Sequence, residues 1–218
     1  MIELISVSKI YKNGSAEYSA LKGVNLYIEQ GEFVAIMGTS GAGKTTLLNI
    51  IGCMDRMTTG QYIYDGMDIS KYNNKQLHKF RKEHIGFVFQ NFALMDNYTV
   101  YENIEMPLLA RKVKKRKQII LDVMKEFNIE ELAKKLPSNI SGGEQQRCAL
   151  ARAIVADTPV ILADEPTGSL DSKTGQEIME YIKKLNDKGK TVIMITHDSD
   201  VANYADRIIR IEDGIIHE

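Results

Sequence analysis

The chain has 218 residues, and its 28 Lys and Arg are balanced by 29 Asp and Glu, for a formal net charge of −1. This length suits one compact domain, and the charge balance argues against a broad nucleic-acid-binding surface. The N-terminus has no basic-then-apolar leader, and no run approaches the ~20 apolar residues of a membrane helix. Cys53 and Cys148 lie far apart without a CxxC pattern, as is typical of reduced core thiols in a cytosolic protein. We therefore expect a soluble protein with no nucleic acid partner.

Two kinds of strand follow one another along the chain. The first segments, IELISVSKIY and LKGVNLYIE, alternate apolar and polar residues and predict an antiparallel flap. Later strands are almost wholly apolar and alternate with helical patterns, which predicts a parallel sheet covered on both faces. They are FVAIM (33–37), IGFVFQ (85–90), VILAD (160–164), TVIMIT (191–196) and RIIRI (207–211). The closing segment RIIRIEDGIIHE predicts a hairpin that turns at Asp213 and Gly214.

Residues 91–140 interrupt this rhythm, and we predict a helical insert there. KQIILDVMKEF places five apolar residues on one helical face, namely Ile119, Ile120, Val123, Met124 and Phe127. The following IEELAKKL is predicted to continue helically until Pro137 stops it. The insert also carries RKVKKRK (111–117), with six basic residues in seven. A solvated face is the ordinary interpretation of that run, and contact with a membrane-embedded partner or anionic headgroups is the alternative.

The segment GTSGAGKT follows the predicted strand 33–37 and precedes TLLNIIG, so it meets the pattern GxxxxGK[ST] between a strand and a helix. Gly38, Gly41 and Gly43 let the backbone curl so that successive N–H groups face phosphates. Lys44 is predicted to reach the β and γ phosphates, and Thr45 to offer its hydroxyl to Mg²⁺. The alternative, a glycine-rich turn without a ligand, does not account for this context.

Polar residues also follow three other predicted strands, at the edge where open α/β sheets bind ligands. Asp164 ends VILAD and is predicted to hold the Mg²⁺ shell, whereas Glu165 can accept a proton from an attacking water. His197, after TVIMIT, can donate to a γ-phosphate oxygen. Gln90, at the end of IGFVFQ, can contact Mg²⁺ or the attacking water. A helix cap or a structural histidine would explain each residue alone, but together they converge on one edge.

A second phosphate cradle is predicted in NISGGEQQRCAL, which begins at Asn139. Ser141 and Glu144 have the spacing of a capping box at a helix start, and such a start can hold an anion. Gly142 and Gly143 would let that backbone approach a ligand closely. In the flap, Tyr11 is a candidate platform for a purine ring, with Tyr18 and Tyr27 as competitors and a core role as the alternative.

With GTSGAGKTT, FQ at 89–90, ISGGEQQR, VILADEPTGSLD and ITHD in this order, the chain resembles an ATP-binding-cassette (ABC) ATPase over essentially its whole length. It is most similar to the nucleotide-binding subunits of the macrolide-efflux and lipoprotein-release group. The resemblance implies an α/β fold, with a P-loop NTPase (RecA-like) core, an N-terminal antiparallel β flap and a helical subdomain insert. It implies a single ATPase domain over 1–218, with the core and flap at 1–90 and 141–218 and the helical subdomain at 91–140.

The resemblance also implies a role for each matching position. The residues that would bind ATP are Tyr11, Gly38, Thr39, Ser40, Gly41, Ala42, Gly43, Lys44, Thr45 and Thr46. Glu165 would be the catalytic base and His197 the switch histidine, Gln90 would belong to the Q-loop, and Asp171 to the D-loop. Thr45, Gln90 and Asp164 would hold Mg²⁺. The signature loop would comprise Ser141, Gly142, Gly143 and Glu144; it departs from the usual LSGGQ at Ile140 and Glu144.

By the same resemblance, two copies pair head to tail, and the signature loop of each serves the ATP of the other. ATP, Mg²⁺, a second copy and a transmembrane permease are therefore the expected cofactors and partners, together with a periplasmic or extracellular adaptor. The protein would lie in the cytoplasm on the inner face of the membrane and drive export of a drug, peptide or lipoprotein. The alternative is an ATPase that gates a membrane complex without transport, as in the cell-division member of the group.

Rival classes fit the residues less well. Cassette proteins of translation carry two cassettes in one chain, and those of DNA repair separate their halves by coiled coils or zinc modules. A nucleotide-binding scaffold without catalysis would not need both Glu165 and His197.

Overall fold

The computed structural model describes residues 1–14 and 16–217; Ser15 and Glu218, which belong to the predicted domain 1–218, lie outside the described residues. The strands are β1 Ile2–Asn13, β2 Ala16–Ile28, β3 Phe33–Met37, β4 Thr59–Tyr64, β5 Met67–Asp68, β6 Ile85–Val88, β7 Val160–Asp164, β8 Thr191–Ile195, β9 Arg207–Glu212 and β10 Ile215–His217. The helices are α1 Lys44–Ile51, α2 Asn74–His84, α3 Val100–Ala110, α4 Arg116–Glu126, α5 Gly142–Ile154, α6 Ser172–Asp187 and α7 Ser199–Ala202.

The strands form two sheets. The larger has the order β10-β9-β3-β8-β7-β6, and all its pairs are parallel except β9 with β10. The smaller is the antiparallel flap β2-β1-β4-β5. The predicted flap and parallel sheet are therefore confirmed, as is the closing hairpin, since Asp213 and Gly214 both have positive φ. Strands β4 and β5 extend the flap beyond the two predicted segments.

The larger sheet is covered on both faces, as its apolar strands predict. Alternate residues of β3 point to opposite sides, because side chains along a strand alternate. Val34 and Ile36 join an apolar cluster with α1 and the flap, whereas Phe33 and Ala35 join a second cluster with α3, α4, α5 and α6. The carboxyl ends of the parallel strands are thus fixed between two layers.

The insert is helical, but two predictions about it are wrong. The helix does not continue to Pro137: α4 ends at Glu126, Asn128 takes the left-handed conformation with φ 52°, and only 3₁₀ turns follow at Glu130–Leu132 and Pro137–Asn139. Ile119 is exposed, because adjacent positions on a helix point about 100° apart and Ile120 takes the buried one. The division of 1–218 into core and subdomain at residues 90 and 140 stays a prediction.

The structure also bears on membrane-spanning helices and on the two cysteines. Within residues 1–14 and 16–217, no helix has both the length and the apolar character needed to cross a bilayer. Cys53 and Cys148 are buried free thiols, and burial raises the pKa of each to about 12. Both are therefore core thiols, as predicted.

Candidate active site

A cavity of about 620 Å³ opens at the carboxyl edge of the parallel sheet, and we call it the strand-edge cavity. The segments that follow β3, β6, β7 and β8 all contribute to it. Its lining residues are Tyr18, Gly38, Thr39, Ser40, Gly41, Gly43, Lys44, Thr45, Thr46, Gln90, Asp164, Glu165 and His197. The structure thus brings together most of the side chains that the sequence predicted to meet, although they are separated by up to 160 positions along the chain.

Glycine is needed in the loop at 38–46 for steric reasons. A Cβ at Gly38 would lie 2.2 Å from the carbonyl oxygen of Ile211, and a Cβ at Gly43 would lie 2.5 Å from that of Ala20. Gly43 also has φ 103°, a conformation that L side chains rarely adopt. The loop therefore packs closely against β2 of the flap and against β9, and its other side lines the cavity.

Lys44 begins α1 and extends back over the loop. Its ammonium donates to the carbonyl oxygens of Gly38 and Thr39, each at 2.8 Å. The positive charge therefore lies at the positive end of the α1 dipole, and both favour an anion. Ala42, another predicted ATP-binding residue, is buried and does not line the cavity; its carbonyl accepts the N–H of Gly214 at 3.0 Å.

The acidic wall of the cavity consists of Asp164 and Glu165. Burial raises the pKa of the Asp164 carboxyl and the charge of Glu165 adds to the rise, whereas Lys44 and the Thr45 hydroxyl act against it. The Glu165 carboxylate lies 3.0 Å from His197 Nδ1 and accepts Gln90 Nε2 at 3.5 Å. Three predicted catalytic side chains therefore meet at one carboxylate oxygen, Oε2.

Glu165 has a strained backbone, with φ 45° immediately after β7. A left-handed conformation is costly for a residue with a side chain, so the surroundings must hold it. The N–H of Glu165 donates to Ile195 O at 3.0 Å, and its carbonyl accepts the N–H of Gly168 at 3.1 Å. The turn thereby directs the carboxylate into the cavity rather than along the strand.

The capping box predicted at Ser141 and Glu144 is present at the start of α5, and its use as a second anion cradle stays a prediction. Ser141 caps α5, and its N–H and hydroxyl donate to Glu144 Oε2 at 2.7 and 2.8 Å. These bonds lower the pKa of Glu144, so its charge is used within the capping box. None of the four signature-loop residues lines the strand-edge cavity. The start of α5 therefore lies outside the strand-edge cavity of its own chain.

Thr174 of α6 packs against the start of α5. A Cβ at Gly143 would lie 2.5 Å from Thr174 Cγ2, so only glycine allows α5 to approach α6 this closely. Asp171 caps α6 and accepts the N–H and hydroxyl of Thr174, at 3.0 and 2.7 Å. Asp171 borders a separate hollow beside α6 rather than the strand-edge cavity.

Tyr11 and Tyr18 lie opposite each other in the β1–β2 register. Tyr18 lines the strand-edge cavity and donates to Gly41 O at 2.9 Å, although the sequence presents it only as a competitor. Tyr11 does not line the cavity; its hydroxyl donates to Asp55 at 2.8 Å, and Lys9 Nζ lies 4.6 Å from its ring centroid. A stacking role for Tyr11 stays a prediction.

Sequence reasoning missed a groove of about 290 Å³ between α2 and α3, which we call the α2–α3 groove. Its floor includes Phe87 and Phe89, which stack at 4.2 Å between ring centroids. Cationic side chains surround this floor, and α3 closes one side with Pro107 and Ala110. The cations are Arg81, Lys82 and Arg152. A sequence signal existed, since two aromatic residues closely precede Gln90, but the cations come from distant segments.

The basic run beside this groove divides into two kinds of residue. Arg111 donates to Ala156 O, and Arg116 pairs with Glu105 at 2.8 Å, so both arginines are used within the fold. The lysines in the run are exposed; they are Lys112, Lys114, Lys115 and Lys117. The solvated-face interpretation therefore describes the lysines.

A glycine-rich loop at a helix start, beside an aspartate and a glutamate at the end of a buried strand, defines the class of P-loop ATPases. The chain matches the ABC transporter family over residues 21–168. It is 48% identical to the ABC transporter ATP-binding protein MJ0796 of Methanocaldococcus jannaschii, over 98% of this chain and 94% of that protein. It is 43% identical to the macrolide export ATP-binding/permease protein MacB of Salmonella typhimurium, over 100% of this chain and 34% of MacB.

Solved structures agree. The dimeric structure of the MJ0796 cassette has a TM-score of 0.93 and 46% identity, covering 100% of this chain and 97% of that one. A dimeric post-hydrolysis state of MJ0796 bound to ADP and Pi has the same TM-score at 45% identity, with the same coverage of both chains. The chain therefore belongs to the ABC transporter family. It is an ATPase, the nucleotide-binding subunit of such a transporter, and the predicted fold class is confirmed.

Proposed function

We propose that two copies of this chain pair head to tail around two ATP molecules and drive a separate transmembrane permease. One observation carries the proposal: the chain has two anion cradles, at Lys44 and at Ser141, and only the first lines the strand-edge cavity. In a head-to-tail pair, the second cradle of each copy would close the cavity of the other. The structures of MJ0796 are dimeric, which supports the pairing of two copies.

The proposed chemistry assigns one task to each cavity side chain. Glu165 accepts the proton of the attacking water, because it is the carboxylate on which the other polar groups converge. His197 donates one ring N–H to Glu165, and a protonated ring would donate the other to a γ-phosphate oxygen. Gln90 lies within reach of the same carboxylate and orients the water. Lys44 and the loop N–H groups hold the phosphates.

We also propose Mg²⁺ as the cofactor, held by Thr45, Asp164 and Gln90 together with the nucleotide. The donor set fits, since all three offer oxygen, and Mg²⁺ is usually bound by one or two carboxylates plus substrate phosphates. The raised pKa of Asp164 also fits, because a neighbouring cation would offset the burial and the Glu165 charge that raise it. When bound, Mg²⁺ would neutralise charge that develops on the phosphates.

The transporter is proposed to export a drug, peptide or lipoprotein from the cytoplasmic side, with an adaptor beyond the membrane. The similarity to MacB, whose name joins an ATP-binding part to a permease for macrolide export, supports export over gating without transport. The chain would then lie at the inner face of the membrane, bound to its permease.

We expect Tyr11→Ala to weaken ATP binding about five- to hundredfold, since stacking of a base on an aromatic ring contributes ~1–3 kcal/mol. Affinity for tripolyphosphate, which has no base, should not change. Equilibrium binding of both ligands to the purified chain measures the effect. Tyr18→Ala is the matched control, because Tyr18 lies directly opposite in the sheet. A larger ATP-specific loss in Tyr18→Ala would assign the platform to Tyr18 instead.

The α2–α3 groove is the proposed permease contact. It begins where the segment after β6 leaves the strand-edge cavity, since Gln90 lines the cavity and Phe89 and Ala93 line the groove. Its apolar floor and cationic surroundings suit an amphipathic helix with an acidic end. Part of the groove lies within the predicted helical insert, through Ala93, Pro107 and Ala110. Arg111 is a poor probe of this surface, because it does not line the groove.

We expect Ala110→Trp to fill the groove and to weaken permease binding at least about thirtyfold. Losing a hot-spot contact at the centre of an interface costs about 2 kcal/mol or more of binding free energy. Leu109→Trp is the matched control, because Leu109 is 44% exposed on the same helix but does not line the groove. Co-purification with the permease and ATP binding are measured in both variants. Equal permease binding by the two variants would place the contact elsewhere.

A further inference from the structure

Helix α5 carries a polar side chain that is fully buried near Glu165. Gln146 has no exposed surface, and its Nε2 donates to Pro166 O at 2.6 Å. Pro166 directly follows Glu165, whose backbone is strained at φ 45°. This hydrogen bond holds the backbone carbonyl directly after Glu165, and its loss would leave Pro166 O without the Gln146 donor.

A second side chain of α5 contacts the loop after Gln90. The guanidinium of Arg152 donates from Nη1 to Ala93 O at 2.6 Å and from Nη2 to Phe92 O at 2.8 Å. Phe92 and Ala93 both have left-handed backbones, with φ 55° and 48°, so this turn needs an external support. A planar guanidinium can serve two adjacent carbonyls at once, which a lysine ammonium does less well.

These two contacts connect α5 to both partners of one catalytic pair. Gln90 Nε2 lies 3.5 Å from Glu165 Oε2, and each residue is within three positions of a carbonyl that α5 holds. The helix itself begins at the Ser141 cap, outside the strand-edge cavity. Phe92 also lies near that start, since a Cβ at Gly142 would be 3.8 Å from its ring.

We propose that Gln146 and Arg152 are positioning residues through which α5 sets the places of Glu165 and Gln90. When the Ser141 cradle contacts the partner's ATP, α5 shifts as a unit, and these hydrogen bonds pass the shift to the cavity of its own chain. ATP bound in one active site of the pair thereby changes the positions of Glu165 and Gln90 in the other. The second step rests on the proposed head-to-tail dimer.

The chain contains no tryptophan, so Phe92→Trp supplies a single fluorescent reporter beside the Arg152 contact. In a Glu165→Gln background, ATP should change the emission of this reporter as the dimer forms. Adding Arg152→Met should abolish that change, while ATP affinity and dimer formation measured by gel filtration stay within about twofold, since no nucleotide contact is lost.

Turnover is measured with Glu165 and Phe92 restored. Arg152→Met and Gln146→Met should each lower kcat about ten- to hundredfold with little change in KM, because small displacements of reacting groups are costly. Arg152→Lys, which keeps the cation and the packing, should recover part of the rate and remains informative if Arg152→Met does not fold. Gln145→Met is the matched control, because the side chain of Gln145 donates to Ile140 O of its own helix start, at 3.3 Å, rather than to the segments that follow Gln90 or Glu165.

The inference is overturned if folded Arg152 and Gln146 variants keep the parental kcat, or if Arg152→Met keeps the emission change. It is also overturned if Gln145→Met loses as much turnover as Gln146→Met, since that would indicate general damage to α5. If the reporter chain in the Glu165→Gln background binds ATP but never dimerises, the proposed dimer fails first, and the coupling step fails with it.

Discussion

Glu165→Gln is expected to lower ATP turnover about a hundred- to ten-thousandfold, the usual contribution of a general base. The amide cannot accept the proton of the attacking water, yet it has nearly the same shape and can still contact His197 and Gln90. ATP affinity should therefore persist. The ATP-bound dimer should accumulate, because the hydrolysis that would separate the two copies is blocked. Turnover assays, equilibrium ATP binding and gel filtration with ATP measure the three effects.

Asp164→Asn is the informative comparison for that experiment. Asp164 is the neighbouring carboxylate, but its proposed task is to hold Mg²⁺, so its loss should weaken the Mg²⁺ dependence of ATP binding. Glu165→Gln should leave that dependence unchanged. Normal turnover in Glu165→Gln would show that another group takes the proton.

A covalently linked dimer should show which ATP the Ser141 cradle serves. Two lesions are combined in a Glu165→Gln background, Lys44→Ala in the phosphate loop and Ser141→Arg at the α5 cap. If the cradle serves the partner, both lesions in one half damage both composite sites, and no ATP is occluded. With one lesion in each half, both fall in the same composite site, and one ATP should be occluded. The two linked dimers are therefore expected to differ by one occluded ATP, with none in the first and one in the second.

Occlusion is the better measurement here, because hydrolysis can require both sites and fall to zero in either linked dimer. A cradle that acted within its own chain would reverse the order, and the doubly altered half would leave the other site intact. Singly altered linked dimers serve as controls for folding, since Lys44 also bonds to the carbonyls of Gly38 and Thr39. The reversed order would overturn the proposed dimer.

The parts of the fold that the sequence predicts well are those set by local pattern. The buried strands at 33–37 and 160–164 have the predicted bounds, because the apolar runs FVAIM and VILA stop abruptly, at Gly38 and at Asp164. Helix α2 was not predicted, because its sequence NKQLHKFRKEH has only two apolar residues, Leu77 and Phe80, and buries only Phe80. Strand β4 was missed because its pairing with β1 joins residues 51 to 62 positions apart, from Ser8 with Thr59 to Ile2 with Tyr64.

In the candidate site, too, local pattern predicts some residues, whereas others depend on contacts between distant segments. The motif side chains that follow strands line one cavity, because parallel strands all end at the same edge. The choice between Tyr11 and Tyr18 could not be made from pattern, since the two are direct cross-strand partners and therefore lie on the same face of the flap. Gln146 and Arg152 also escaped notice, because a polar residue in a helix carries no sign that it is buried against a backbone carbonyl.

The close contacts around Gly38 and Gly43 join segments of the chain that are synthesised at different times. The phosphate loop is synthesised early, but the carbonyl of Ile211 that packs on Gly38, and the N–H of Gly214 that binds Ala42, are synthesised much later. The roughly 170 intervening residues take about 10–30 s to translate at ordinary rates. During that interval, β3 lacks its neighbours β8 and β9, and the nascent chain exposes an apolar strand edge. Nucleotide affinity should therefore arise only after β9 has left the ribosome, and the growing chain should be most dependent on chaperones just before that moment.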